Sequence, residues 1–534
     1  MHFALTLIAA LFQATPLPSP TAPPPPPVLV SPAPSPSASP AALSAQPAAL
    51  NLHPSQTATV TAAGVTGTLA ATVDPALVTL AVDQAAKTIT VSAGQQTGRA
   101  TLTISDGSGT NLQVPVRVAY DAGAVPQALT LRITGDSVDP QWLQTQIQKA
   151  VVQNAQLQPG AVASLGAFAA PPQLEPGASA VVPVPVQISG GDAYFDVSAL
   201  STISLQNVPV TPWEPSTLFY DDDPEKIVTD GVLYRNEVVP STPVRLYYYH
   251  ENSADARRLL VVLSAASTDP SSVQLLDASA GPNIDVMSVG HAVSRDFLSA
   301  KPHNQGLIAD VTPSAPYIAD EFALQRLDGA AGSIGLRVLG GGPVRVTVLA
   351  VPSAVSDAQI AQYLAQPQLP DDGHHRTGSF SLNGYADDRL AYTVGGQDAE
   401  TQYGATTPPP LDGAGHDYGD YGVIRTLTFD VSNPTSAPAT LYLFEQPLGG
   451  VVRSSFLVNG TLVQVGCARV SQRYQIGEPV AVNPGSSQIV VQTMTDGGSN
   501  YPLGVGLTAT PPLAQTPAIA AADGCFPKPQ SASP

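Results

Sequence analysis

The 534-residue chain carries 22 Lys and Arg against 41 Asp and Glu, a formal net charge of −19, and this argues against nucleic acid and anionic lipid as partners, since both need a basic surface that releases counterions. At about 150 residues per domain the length calls for roughly three or four domains in series. Hydrophobic residues make up 43% and come as short runs of Val, Ala and Leu mixed with Thr, which is strand composition.

Residues 1–14 read as a signal peptide. The apolar run Phe3–Phe12 is about ten residues long, short of the ~20 that cross a bilayer as a helix, and Ala14 is a candidate cleavage point. Residues 15–47, "TPLPSPTAPPPPPVLVSPAPSPSASPAALSAQP", contain no charge. Proline fixes φ and removes donors, so this segment is expected to be a disordered, extended spacer without a core.

Over 48–122 the pattern changes to period-two alternation in "TATVTAAGV", "LVTLAVDQAAKTITVSA" and "GRATLTISDGSGTNLQVPVRVAY". Turn residues recur about every 8–12 positions, which predicts a small antiparallel β-sandwich. The phrase "GRATLTISDGSGTNLQVPVRV" resembles the closing hairpin of bacterial immunoglobulin-like repeats. That resemblance implies an Ig-like module acting as a stalk or spacer.

Residues 123–211 predict a small α+β domain. Asp139 before Pro140 has the form of an N-cap followed by proline at the first helical position, and Trp142, Leu143, Ile147 and Val151 then share one helical stripe. Trp142 is expected to anchor a core. Residues 212–355 and 372–512 read as strand, turn, strand throughout and predict two β-sandwiches, joined over 356–371 by a linker with a short helix; 513–534 is a low-complexity tail. Asn459-Gly460 between two apolar strands is the signal for a two-residue type I′ hairpin. The fold class expected is therefore mainly β, a multidomain chain of antiparallel β-sandwiches with one small α+β unit. Phrases such as "DDPEKIVTDGVLYRNEV", "GPNIDVMSVGHAVSRDFL" and "GDYGVIRTLTFDVSNPTSAPATLYLFEQPLGGVVRSSFLVNGTLV" resemble those of uncharacterised secreted bacterial β-sandwich proteins, including a family frequent in cyanobacteria. The resemblance implies export and a β fold, with no established activity.

Four constellations are candidates for chemistry. In "FYDDDPEK", Asp223, Pro224 and Glu225 fit the start of a short helical turn, which leaves Asp221 and Asp222 for solvent or a metal, with calcium the possible cation. Asp371-Asp372-Gly373-His374-His375 reads as a solvated linker turn, because adjacent histidines on a strand point to opposite faces. The loop "LDGAGHDYGDYG" interleaves Asp412, His416, Asp417 and Asp420 with glycines and with Tyr418 and Tyr421, the mixture of carboxylates and aromatic faces that suits a sugar ligand. "RLYYYHEN" places Tyr247 and Tyr249 on one face of a strand and Tyr248 and His250 on the other, one of which should be core. Cys467 and Cys525, the two cysteines, are either one disulfide enclosing about 58 residues or two unpaired thiols.

No nucleophile elbow, CxxC, P-loop or dinucleotide fingerprint occurs. The function expected is that of an exported, non-catalytic structural or adhesive protein of a bacterial envelope, with no cofactor, whose partner is an extracellular polymer or protein. The alternative is a protein that binds or degrades extracellular polysaccharide through the 411–422 loop.

Overall fold

Period-two alternation does most of the building. In the computed structural model, which describes residues 42–223, 225–370, 377–412, 416–511, 514 and 525, the chain divides into two units, Met1–Tyr120 and Asp121–Pro534. The expected signal peptide, most of the proline-rich spacer, the Asp371–His375 turn and most of the tail lie outside the described residues.

The first unit is a β-sandwich. Strands Ser44–Gln46, Thr57–Ala63, Thr88–Ala93 and Val78–Asp83 form one sheet, and Leu50–Leu52, Asn111–Val118, Gly98–Ser105 and Ala70–Thr72 form the other. Every second residue points inward, so that Val60, Ile89 and Val91 meet Leu102, Ile104, Val114 and Val116 in the core. The hairpin from Gly98 to Val118 is closed by Asp106, whose carboxylate accepts from the amides of Thr66, Ser108 and Thr110 and from the Ser108 hydroxyl. That hydroxyl, with the amides, holds the Asp106 carboxyl below its usual range against burial.

The second unit is organised around an 11-stranded sheet. In order across it run Val162–Leu165, Ser179–Ser189, Val197–Asn207, Ala128–Thr134, Gly306–Val311, Ser271–Asn283, Gly329–Gly340, Val244–Asn252, Thr217–Asp221 and Gly378–Ser381, with Lys226–Ile227 beside Val244–Asn252. Strands from the expected 123–211, 212–355 and 372–512 segments thus share one sheet. A four-stranded sheet, Gly231–Val238, Val344–Pro352, Arg257–Ala265 and Tyr317–Leu324, packs on one side of its centre in a core that includes Leu246, Tyr248, Val261, Leu336 and Val346.

Three α-helices occur among the described residues. Helix α1, Pro140–Asn154, starts as the sequence predicts, with the Asp139 carboxylate accepting from Gln141 N and Pro140 in the first turn. Leu143, Ile147 and Val151 pack on Val182, Val184, Ile203 and Leu205 of the sheet. Helix α2, Val286–Ala300, corrects the expectation of uninterrupted strands over 212–355. It packs between strands Ser271–Asn283 and Gly329–Gly340 on one side and Val452–Val458 and Gly485–Thr495 on the other. Helix α3, Asp357–Leu364, begins in a capping box between Ser356 and Gln359.

Beyond it lies the C-terminal sandwich. One sheet has the order Asp387–Thr393, Ile424–Asn433, Gly485–Thr495, Val452–Val458, Thr461–Ala468, and it faces Ala399–Tyr403, Leu503–Thr508, Ala439–Pro447 and Tyr474–Gln475. The hairpin at Asn459-Gly460 forms as predicted, with both residues at positive φ, 47° and 82°. Cys467 and Cys525 are joined in a disulfide, so the pairing left open by the sequence is settled. No helix among the described residues is long and apolar enough to cross a membrane.

Candidate functional site

The exposed side of α1 and the C-terminal half of α2 face each other across a cleft of about 860 Å³. Helix α1 contributes Gln141, Trp142, Thr145, Gln146, Lys149 and Gln153; α2 contributes Arg295, Asp296 and Ser299; and the sheets beneath contribute Asp277, Ser279, Asp320, Glu321 and Phe322. Trp142 rests one side of its indole on the α1 core and stays only partly buried. The sequence assigned it to the core; it also lines the cleft.

The floor is a charged triad. Lys149 Nζ reaches 3.1 Å from Asp320 Oδ1 and 4.0 Å from Asp277 Oδ2, and it also donates to the Ala319 carbonyl. Asp320, with its side chain 2% exposed, accepts in addition from the Tyr248 hydroxyl at 2.8 Å and the Ser279 hydroxyl at 2.9 Å. Three donors thus converge on Asp320. Burial first, and the Asp320 carboxylate second, push the Asp277 carboxyl well above its usual range, with Lys149 opposing. Burial also works against the Lys149 ammonium, but Asp320 and Asp277 outweigh it and hold the amine above the usual lysine range. The floor therefore sets the Lys149 ammonium against two buried carboxyl groups, of which Asp277 holds a proton far more readily than an ordinary aspartate.

The cleft is not closed at its end. His303, which lines it, pairs through Nδ1 with Asp136 Oδ1 at 2.9 Å, and both residues also line a neighbouring groove of about 420 Å³ between Pro176, Pro209 and Pro212. Amides from Gln173 and Gln305 complete the lining of the main cleft. An indole, several amides and a carboxyl group form a surface suited to many weak hydrogen bonds and one stacking contact.

The residues singled out in the sequence lie elsewhere. In the 411–422 loop, Asp417 and Asp420 are 0% exposed. Asp417 Oδ1 accepts from Tyr421 N at 2.8 Å; Asp420 accepts from Gly404 N, the Tyr385 hydroxyl and Arg425 at 3.0, 2.7 and 2.9 Å. Asp412 accepts from Ser379 N at 2.6 Å. Tyr421 turns inward, stacked on Tyr247 and donating its hydroxyl to the Ser499 carbonyl at 2.6 Å. His416 and Tyr418 remain outside, their rings stacked at 5.2 Å, with Tyr418 61% exposed. The loop's carboxylates thus hold its own scaffold, while its outward chemistry is one aromatic pair.

The helical turn expected at "FYDDDPEK" does not form. Thr217–Asp221 is a buried strand, Asp223 stands in a turn, and Lys226–Ile227 pairs with Glu251 and Asn252. Asp221 and Asp222 are buried rather than left to solvent. Asp221 Oδ2 lies 3.1 Å from His250 Nε2, and Asp222 Oδ2 accepts from the Tyr220 hydroxyl at 3.0 Å. Burial pushes the Asp222 carboxyl well above its usual range, with His250 opposing. In the same region Tyr247 and Tyr249 pack on one face and Tyr248 on the other, and His250 is 0% exposed, so both faces of this strand are core. Among the described residues no three His, Cys, Asp or Glu side chains gather as a metal group.

No family model matches the chain, and no curated protein matches it. Among solved structures it is similar to the Yersinia pseudotuberculosis adhesin InvE, at 16% identity over 30% of this chain and 58% of that one with a TM-score of 0.13. It is also similar to tripeptidyl peptidase 2, at 10% identity over 83% and 34% with a TM-score of 0.15. A third is a Bacteroides ovatus mixed-linkage glucan utilization locus protein in complex with a mixed-linkage heptasaccharide, at 12% identity over 56% and 73% with a TM-score of 0.12. The chain spans 58% of the adhesin's length and 34% of the peptidase's.

Proposed function

We propose that this is an exported, non-catalytic β-sandwich protein that holds a hydroxyl-rich extracellular polymer in the cleft between α1 and α2. The observation that carries the reading is the cleft itself, where Trp142 stands beside amide side chains, Arg295 and the Asp277 carboxyl, which burial raises, in a space of about 860 Å³. An indole face stacks on the C–H surface of a sugar ring, and amides and a carboxylic acid exchange hydrogen bonds with hydroxyls. Continuation past His303 into the second groove favours a linear polymer over a single small ring. The Cys467–Cys525 disulfide supports an oxidising compartment beyond the cytoplasm. The first unit, in this reading, is an Ig-like spacer. The cleft replaces the 411–422 loop as the proposed binding surface because it brings accessible donors and acceptors together.

Retention on immobilised polysaccharides tests the reading. At least one is bound saturably, and Trp142→Ala weakens it roughly tenfold through the loss of about 1 to 2 kcal/mol of stacking and packing; Arg295→Ala, on the exposed rim, weakens it without touching the core. Failure to bind any polysaccharide, or binding untouched by both changes, overturns the assignment. One observation favours a second reading. The Asp277 carboxyl, raised by burial in the cleft, is a potential proton donor, and new reducing ends that vanish in Asp277→Asn would make the protein a degrading enzyme.

A further inference from the structure

Cations line the cleft between α1 and α2, but each is already engaged by a carboxylate of the protein. Arg295 on α2 has a side chain 39% exposed, against 26% for Lys149 on the floor. Its fork closes on the residue beside it. Nε donates to Asp296 Oδ1 at 2.7 Å and Nη2 donates to Asp296 Oδ2 at 2.9 Å, the bidentate geometry in which a guanidinium takes a carboxylate. Lys149 is held by Asp320 and Asp277, and His303 at the far end faces Asp136. Among the described residues, every Lys, Arg and His side chain that lines the cleft is thus matched with a carboxylate.

The remaining charge has one sign. Asp139 and Glu321 line the cleft as well, and Glu321 reaches Arg258, which is outside the lining, at 2.7 Å. Carboxyl groups therefore outnumber cations along the walls whether or not Asp277 holds a proton. Such walls repel an anionic chain within a Debye length, ~10 Å at 0.1 M salt. At contact the conflict is sharper. A uronate or sulfate group that took Arg295 would displace Asp296, and the displaced carboxylate, one position along the same helix, would stay beside it. A hydroxyl requires no such exchange. The N–H groups of Arg295 that Asp296 leaves free can donate to it, and so can the amides of Gln141 and Gln153.

We propose that the cleft selects neutral polysaccharides against acidic ones, and that Asp296 sets this preference by holding the Arg295 guanidinium. The selectivity presupposes that the cleft holds a polymer, as proposed above, and adds the chemical class of that polymer and the residue that discriminates it. Specificity here comes from a repulsive element against the wrong ligand as much as from contacts to the right one.

Matched polymers read the selectivity. Each neutral hexose polysaccharide that the protein retains is compared with the same polysaccharide oxidised at C6 to the uronate, at low and at high salt. The oxidised partner should bind roughly tenfold or more weakly at low salt, and the gap should close as salt rises; this comparison needs no variant. Asp296→Asn, which removes a charge and releases the Arg295 fork, should narrow the ratio roughly threefold or more. Glu478→Gln removes the same charge from an exposed position of the C-terminal sandwich outside the cleft lining, and should leave the ratio unchanged. Equal binding of the matched pair, a gap indifferent to salt, or retention of acidic polymers alone overturns the selectivity and leaves polymer binding in the cleft standing. A ratio moved alike by both variants assigns the preference to the net charge of −19 and overturns it as well. Retention of no polysaccharide overturns both proposals together.

Discussion

His291 shows how a single residue couples the helix layer to the C-terminal sandwich. Its Nδ1 lies 2.5 Å from Asp496 Oδ2 and its Nε2 2.9 Å from Gln464 Oε1. Both ring nitrogens face acceptors as placed, and only the doubly protonated ring donates to both. Burial disfavours that charge, but the Asp496 carboxylate outweighs burial and raises the histidine. A group raised in the folded state contributes stability that is fully present below its unfolded value, ~6.5, and lost as pH climbs through the folded value. Thermal melts should therefore show the protein losing stability from about pH 6.5 upward. The buried Glu445 of strand Ala439–Pro447 and Asp496, both also raised, act in the same direction, and because His291 opposes the rise of Asp496, the change in slope between wild type and His291→Gln reports the His291–Asp496 pair as a unit. Equal slopes would show that the pair carries no linked proton. No part of this was legible in the sequence, where His291 and Asp496 stand 205 positions apart.

Among the elements, legibility followed the environment of each one. Helix α1 has one buried side and one exposed side, so Leu143, Ile147 and Val151 keep a helical period, and Asp139-Pro140 marks its start. Helix α2 is buried on several sides at once; Met287, Val289, Gly290, His291, Val293, Ser294, Phe297 and Leu298 are all covered. Val286, Val289, Val293 and Phe297 still keep a helical period, but its valines and glycine are weak helix formers that read as strand, so tertiary packing overrode local preference. Asp285, whose carboxylate accepts from Ser288 N at 3.2 Å, was a second local signal, an N-cap. The cleft was hidden for a related reason. Lys149, Asp277 and Asp320 come from a helix and two strands of different sheets, and each alone reads as an ordinary surface charge. Gly290 tests the packing account of α2. A Cβ there would lie 2.1 Å from the Gly497 carbonyl oxygen, so Gly290→Ala, which raises helix propensity by about 1 kcal/mol, should still destabilise, by roughly 1 to 3 kcal/mol in denaturant melts. A neutral or stabilising result would mean that the helix and the 497 turn are not held against each other.

At the scale of the whole molecule, alternation made the sheets legible but not their grouping. Ser179–Ser189 and Val197–Asn207 read as strands of a small unit, yet Ala128–Thr134 joins them to Gly306–Val311 and so to the large sheet. Which strands become neighbours across such distances is decided by long-range pairing, and period-two patterning carries no information about it. The disulfide lay at the same limit: two cysteines admit one bridge, but only the fold brings Cys467 and Cys525 to a Cα separation of 5.3 Å. Its sequence separation of 58 residues gives about 4 kcal/mol of stabilisation from restricting the unfolded chain, and all of that falls on the unit Asp121–Pro534. The unit Met1–Tyr120 contains no cysteine. Calorimetry with and without reductant, or with both cysteines changed to serine, should therefore move one transition downward and leave the melting of the first sandwich in place. If both transitions shift together, the two units do not unfold independently, and the division of the chain at Tyr120 is not a division in stability.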